Sequence, residues 1–208
     1  MRIEKLKTTP DRAGRYWITL DNGEKLALYR QTVEDFALYT GKELSNEEWE
    51  ALLESAGKMS ARMRAVRIVT ASAVSKRDLQ ERLVRKGEDP QQAAEAVAWM
   101  EEMHLVDDAE TARQIVSRCV AKGYGLQRAK QALYEKKIPK QYWDEALEDY
   151  PDQNEHILRF LRSKITDPSD EKQVKKAVDA LLRRGHNYGH IRAALRRMDV
   201  NEDDFPEE

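Results

Sequence analysis

Residues 121–138, AKGYGLQRAKQALYEKKI, read as a helix with a glycine-rich start, an apolar seam and cations over its remaining face. Ala129 and Leu133 stand four apart and so share one side of that helix. Arg128 and Lys130 flank Ala129, cannot both join the seam, and at least one must project into solvent. The same pattern occurs three times along the chain. When Ser75, Gly125 and Asn187 are set over one another, Leu79, Ala129 and Ile191 fall four residues later and Leu83, Leu133 and Leu195 eight later. Helical patterns precede the marked positions at residues 59–71, 108–122 and 171–184. In the first two copies a further helix follows Pro90 or Pro139, proline being tolerated in a first helical turn. The repeated element is therefore a three-helix unit. The offsets of 50 and 62 residues differ because residues 150–170, YPDQNEHILRFLRSKITDPSD, insert an additional helix or linker. No fixed period and no tetratricopeptide signature is present, which disfavours a regular solenoid.

Working outward, residues 16–29, YWITLDNGEKLALY, place strand-forming side chains on both sides of Asp21-Asn22-Gly23, a turn whose Asn and Gly tolerate positive φ. This predicts a β-hairpin, widened by residues 3–8. The pattern becomes helical from Val33 to Tyr39, with Gly41 suited to a C-terminal cap. Ser45 and Glu48 then form a capping box for a longer helix whose seam runs through Met59, Met63, Val66 and Val69. Gly57 costs that helix about 1 kcal/mol relative to alanine and marks where a bend would fall. The expected fold is mainly α, with tandem three-helix units in an elongated, curved arrangement and a small N-terminal β-hairpin plus helix extension. Its divisions are 1–58 for the extension, 59–106 and 107–150 for the first two units, and 151–208 for a linker helix and a third unit with an acidic tail.

The totals narrow the class. A chain of 208 residues can bury a core without disulfides or metal. Charged residues make up 36%, against 9 glycines and 6 prolines, which favours long amphipathic helices. Cys119 is the single cysteine, so neither an internal disulfide nor a cysteine-based zinc site can form, as suits the cytoplasm. No apolar run approaches a membrane span, and charges occupy the place of a signal peptide's apolar segment, so a soluble, untargeted protein is expected.

A net charge of −2 argues against a basic nucleic-acid binder until the charges are located. Residues 118–140 hold Arg118, Lys122, Arg128, Lys130, Lys136, Lys137 and Lys140 against Glu135 alone. The third unit repeats this with Lys172, Lys175, Lys176, Arg183, Arg184, Arg192, Arg196 and Arg197 against Asp179. The first is milder, mixing Lys76, Arg77, Arg82, Arg85 and Lys86 with Asp78 and Glu81. Acid collects at residues 101–110, at 144–152 and in the tail DVNEDDFPEE. Any one such helix is most simply a solvated face with local ion pairs. Recurrence in three units points instead to a positive track that contacts phosphates without reading sequence, with affinity that falls steeply as salt rises.

The stretch HLVDDAETARQIVSRCVAKGYGLQRAKQAL, residues 104–133, resembles the RecX family, bacterial regulators of the RecA recombinase. The resemblance is carried by Val106-Asp107-Asp108, Ala112, Gly123-Tyr124-Gly125 and the basic helix after them. Residues 75–97 look like the family's first unit and 179–195 like its third, so it extends over most of the chain. The sequence departs from the family pattern at Thr111, where an aromatic is common, at Leu126, often proline, and at His104, frequently glycine. The resemblance implies a non-enzymatic regulator of recombination and DNA repair, linked to the SOS response. It would bind the RecA filament on single-stranded DNA, double-stranded DNA more weakly, and inhibit RecA ATPase and strand exchange, acting as a monomer without cofactor or membrane. The expected contact residues are Arg118, Lys122, Arg128, Lys130, Lys136, Lys137, Arg183, Arg184, Arg192, Arg196 and Arg197.

Other readings of the residues are structural. Asp107, with Glu110 three further on, suits a capping box and not an acid pair. Gly123 can end one helix in the left-handed conformation, Gly125 can ease the start of the next, and Tyr124 can anchor the corner or stack on a base, the anchor being the preferred reading. His186 and His190 lie four apart without a third metal ligand and are read as helix-start polar residues. His104 and His156 stand isolated. Cys119 follows Ala112, Ile115 and Val116 at core spacing, as a buried inert thiol, and Trp99 and Trp143 belong to helix seams. No P-loop or dinucleotide fingerprint occurs. The rival function is a helix-turn-helix transcription factor, for which Gln127 and Gln131 would have to read base edges.

Overall fold

In the computed structural model, which describes residues 1–200, the N-terminal strand-forming stretches build an antiparallel sheet in the order β1-β2-β3. The strands are β1 (Ile3–Leu6), β2 (Arg15–Leu20) and β3 (Lys25–Tyr29). The β2-β3 hairpin closes through Gly23 at φ +83°, a conformation without steric cost only in glycine. Ile3, Ile18, Leu20 and Leu28 point inward against Leu38, Leu44, Leu52 and Ala56. Helix α1 (Arg30–Asp35) begins and ends earlier than the pattern from Val33 to Tyr39 predicts. Ala37, at φ +43°, is the left-handed residue after it, and Gly41 lies in the loop beyond.

Helix α2 (Asn46–Ala71) opens on a complete capping box, with Ser45 and Glu48 each accepting from the other's backbone N–H. It runs unbroken through Gly57. A Cβ there would fall 2.3 Å from the side chain of Gln92, so this glycine permits close helix packing. Leu52 and Ala56 cover the sheet, while Ala61 and Ala65 enter a second core with Leu79, Leu83, Ala93, Ala96 and Met100. That core is completed by α3 (Lys76–Arg85) and α4 (Pro90–Glu102). The division expected at 58/59 thus falls inside one helix that serves two cores.

The chain forms two compact units, Met1–Asp107 and Asp108–Glu208. In the second, α5 (Asp108–Ala121) and α6 (Leu126–Glu135) pack with a 3₁₀ turn at Lys140–Tyr142 and the short α7 (Trp143–Leu147). Next come α8 (Asn154–Lys164), α9 (Glu171–Arg183) and α10 (Tyr188–Arg196), which share a core of Ile157, Leu158, Leu161, Val174, Val178, Leu181, Ile191 and Leu195. The inserted segment is therefore a full helix of the third unit. Tail residues 201–208, part of the expected acidic tail, lie outside the described residues.

The threefold register is observed residue by residue. Ser75, Gly125 and Asn187 are the N-caps of α3, α6 and α10. Leu79, Ala129, Ile191, Leu83, Leu133 and Leu195 are all fully buried. The helices also end alike. Gly87, Lys137 and Asp199, each twelve residues past the cap, adopt positive φ. The next backbone N–H, from Glu88, Ile138 or Val200, reaches back to the carbonyl of Leu83, Leu133 or Leu195. This is a Schellman closure repeated three times. Among the described residues no helix is long and apolar enough to cross a membrane.

Candidate nucleic-acid interface

The Gly-Tyr-Gly corner is set by a joint with the third unit. Gly123 has φ +64°, so it closes α5 in the left-handed region. A Cβ on it would meet the His156 ring at 2.2 Å. The Gly125 N–H donates to the Arg184 carbonyl at 2.9 Å, and its missing Cβ leaves space for Gly185 O, which would otherwise stand 2.1 Å away. Gly185 in turn admits the backbone of Arg128, and the Gln127 N–H donates to its carbonyl. The start of α6 is thereby laid on the end of α9, backbone to backbone. Tyr124 packs on the core, and the Tyr150 hydroxyl donates to its carbonyl at 2.6 Å, burial pushing that phenol up to about 12. The corner residue anchors structure, as expected.

His186 and His156 correct their sequence readings. His186 is only 4% exposed, donates through Nε2 to the Gly123 carbonyl at 3.1 Å, and stacks on the His156 ring with centroids 5.9 Å apart. Burial lowers the pKa of both imidazoles, and Arg184 lies near enough to each to reinforce this. Neither ring is isolated, and His186 is a core residue of the joint. Cys119 is buried, with its thiol pushed up by desolvation, so it is a poor nucleophile. Among the described residues no group of three or more His, Cys, Asp or Glu is placed to hold a metal. A cleft of about 290 Å³ beside the joint sets Asp152 near the starts of α6 and α10, with no lysine or arginine in its lining.

The cations expected to form the contact face divide into two sets. Arg118, at the end of α5, Lys122 beyond it, Lys130 on α6, Arg183 on α9 and Arg196 on α10 are exposed. Others help hold the unit. Arg128 is half-buried and pairs with Glu135 at 3.0 Å, a hydrogen bond that lowers the carboxyl's pKa. Arg184 lies 4.9 Å over the Phe160 ring, and Arg197 pairs with Glu155 at 3.2 Å. Lys136, Lys137 and Arg192 are half-buried. Arg128 and Arg184 both lie at the joint, whereas Lys136 and Lys137 follow the opposite end of α6.

The first unit spends its charges differently. Lys76 pairs with Glu101, Arg77 with Glu81 and Arg82 with Asp78, so most of its middle-helix cations are locally neutralised. Sequence reasoning missed Glu88, which is buried yet paired with Arg64 at 2.7 Å and accepts from Ser60. Its signal was present in the register, where the equivalent residues are Ile138 and Val200.

A sheet followed by repeated three-helix units, with two glycine-mediated helix ends pressed together, defines a tandem three-helix protein. A family model described as "RecX, second three-helix domain" matches residues 107–147. A protein of Clostridioides difficile named Regulatory protein RecX is 26% identical, over 98% of this chain and 97% of its own length. One of the same name from Chlorobaculum tepidum is 29% identical over 69% of this chain and 91% of its own. A crystal structure of regulatory protein RecX shares the fold, with a TM-score of 0.64 and 18% identity over 93% of this chain and 98% of that one. Over most of its length the chain is thus similar to proteins of the RecX family.

Proposed function

We propose that this chain is a RecA regulator that lodges along the RecA filament on single-stranded DNA and lowers its ATPase and strand-exchange activities. It binds double-stranded DNA more weakly, and it acts in the cytoplasm as a monomer, without catalysis. The observation that carries the reading is the outward placement of Lys130, Arg183 and Arg196 on the helices of the second and third units. Several weak cationic contacts held in one chain raise avidity without any single strong one. The relatives' name, Regulatory protein RecX, supports the choice of RecA as partner. The helix-turn-helix rival is weakened because the Gln131 amide is engaged by Glu135 at 3.2 Å, which leaves Gln127 as the exposed reader on α6.

The test uses exposed cations, since reversing Arg128 would also disturb the Gly185 contact. Lys130→Glu with Arg196→Glu should weaken binding to RecA filaments and reduce the slope of log affinity against log salt by about 0.7 for each single-strand phosphate that is no longer neutralised. Helicity should be unchanged. Unaltered binding and slope would remove the assigned face.

A further inference from the structure

Tyr134 lies on the solvent face of α6 and is 68% exposed. The other aromatics of this three-helix unit, Tyr124, Tyr142, Trp143 and Tyr150, all pack against its core. The register makes the position an outward one in every copy, occupied by Val84 in α3 and by Arg196 in α10, both exposed. The second unit thus carries a ring where the third carries a cation. Lys130 stands one turn before Tyr134 on the same helix, so the ring shares its side of α6 with a cation at about 5–6 Å between Cβ atoms. Glu135, the acid of this helix, is engaged by Arg128 and Gln131, which offsets its repulsion of a phosphate.

We propose that Tyr134 is a base-stacking residue, holding one unpaired nucleobase while Lys130 meets a flanking phosphate. The inference rests on the nucleic-acid contact proposed above and gives it a physical basis for preferring single strands. A phosphate contact is open to duplex and single strand alike, but a ring can stack only on a base that is not already stacked and paired. One tyrosine selects no sequence, because every base has a π face.

The experiment measures binding of the full chain to labelled oligothymidylate, to an equally long strand with abasic sugars and to an equally long duplex, across a salt series. Tyr134→Ala should weaken the thymidylate complex by about 5- to 100-fold, the range expected for one stacked base. It should leave the abasic strand, the duplex and the thymidylate salt slope unchanged, and Tyr134→Phe should retain wild-type affinity. Equal losses on all three ligands, or no loss on thymidylate, overturn the stacking role. Loss of RecA regulation with thymidylate binding intact would identify the ring as a protein contact and overturn it equally. If the unaltered protein binds no strand at low salt, the nucleic-acid reading itself fails, a result distinct from an unaffected Tyr134→Ala variant.

Discussion

Gly125 has φ −76°, a value any residue can adopt, so its requirement is purely one of space. Gly125→Ala should therefore destabilise the second compact unit by about 1–3 kcal/mol through overpacking on Gly185, measured by urea unfolding. Gly23→Ala, where nothing stands within 4 Å, should cost about 1 kcal/mol through backbone strain alone. The histidine pair makes a second residue-scale prediction. Burial holds both imidazoles below the ordinary value of 6.5, so the unfolded chain takes up protons first as pH falls. Stability should be flat above about pH 7 and decline below about 6.5, by at most roughly 1.4 kcal/mol per pH unit for each proton. His186 faces His156, Arg184 and His190, and Arg159 lies near His156, all of which oppose a further positive charge. Denaturation midpoints at pH 7.5 and 5.5 measure it, and a His186→Gln variant should flatten the decline. Sequence marked the Gly-Tyr-Gly corner as special but not why, since its partners Gly185 and His186 lie some 60 residues away. A separation of 30 residues likewise hid the stacking of His156 on His186.

At the scale of elements, periodicity was the legible part. The marked positions Ser75, Gly125 and Asn187 proved to be helix caps because an apolar seam fixes a helix's phase and a cap residue fixes its start. The helix ends were less legible. Only Gly87 announces the left-handed closure that Lys137 and Asp199 also adopt, at φ +56° and +55°, because neither Lys nor Asp favours that conformation as glycine does and the fold imposes it. The helix predicted after Pro139 shrinks to a 3₁₀ turn and α7, and the chain turns back so that Tyr150 reaches the Tyr124 carbonyl. Glu88 gives the test at this scale. It replaces the aliphatic residue of the other closures and ties α3 to α2 through Arg64 and Ser60. Glu88→Ala should lower stability by about 1–3 kcal/mol, seen as a lower urea midpoint, since two partners lose an acceptor. Replacing Glu88 and Arg64 together with apolar residues should recover part of that loss.

For the whole molecule, near-neutrality concealed an uneven use of charge. The first unit consumes most of its middle-helix cations in ion pairs, while the second and third leave Arg118, Lys122, Lys130 and Arg183 exposed to solvent. Charge runs in the sequence reveal where cations collect. Which of them carboxylates engage is decided by contacts between helices, as Arg197 with Glu155 and Arg113 with Glu145 illustrate. The most direct test of the account is a titration of this protein into RecA's DNA-dependent ATPase reaction at several salt concentrations. Inhibition should be strong at low salt, weaken steeply as salt rises, and shift to higher protein concentration in the Lys130→Glu, Arg196→Glu double variant. Inhibition that is indifferent to both salt and the double reversal, or no inhibition at any salt, would contradict it.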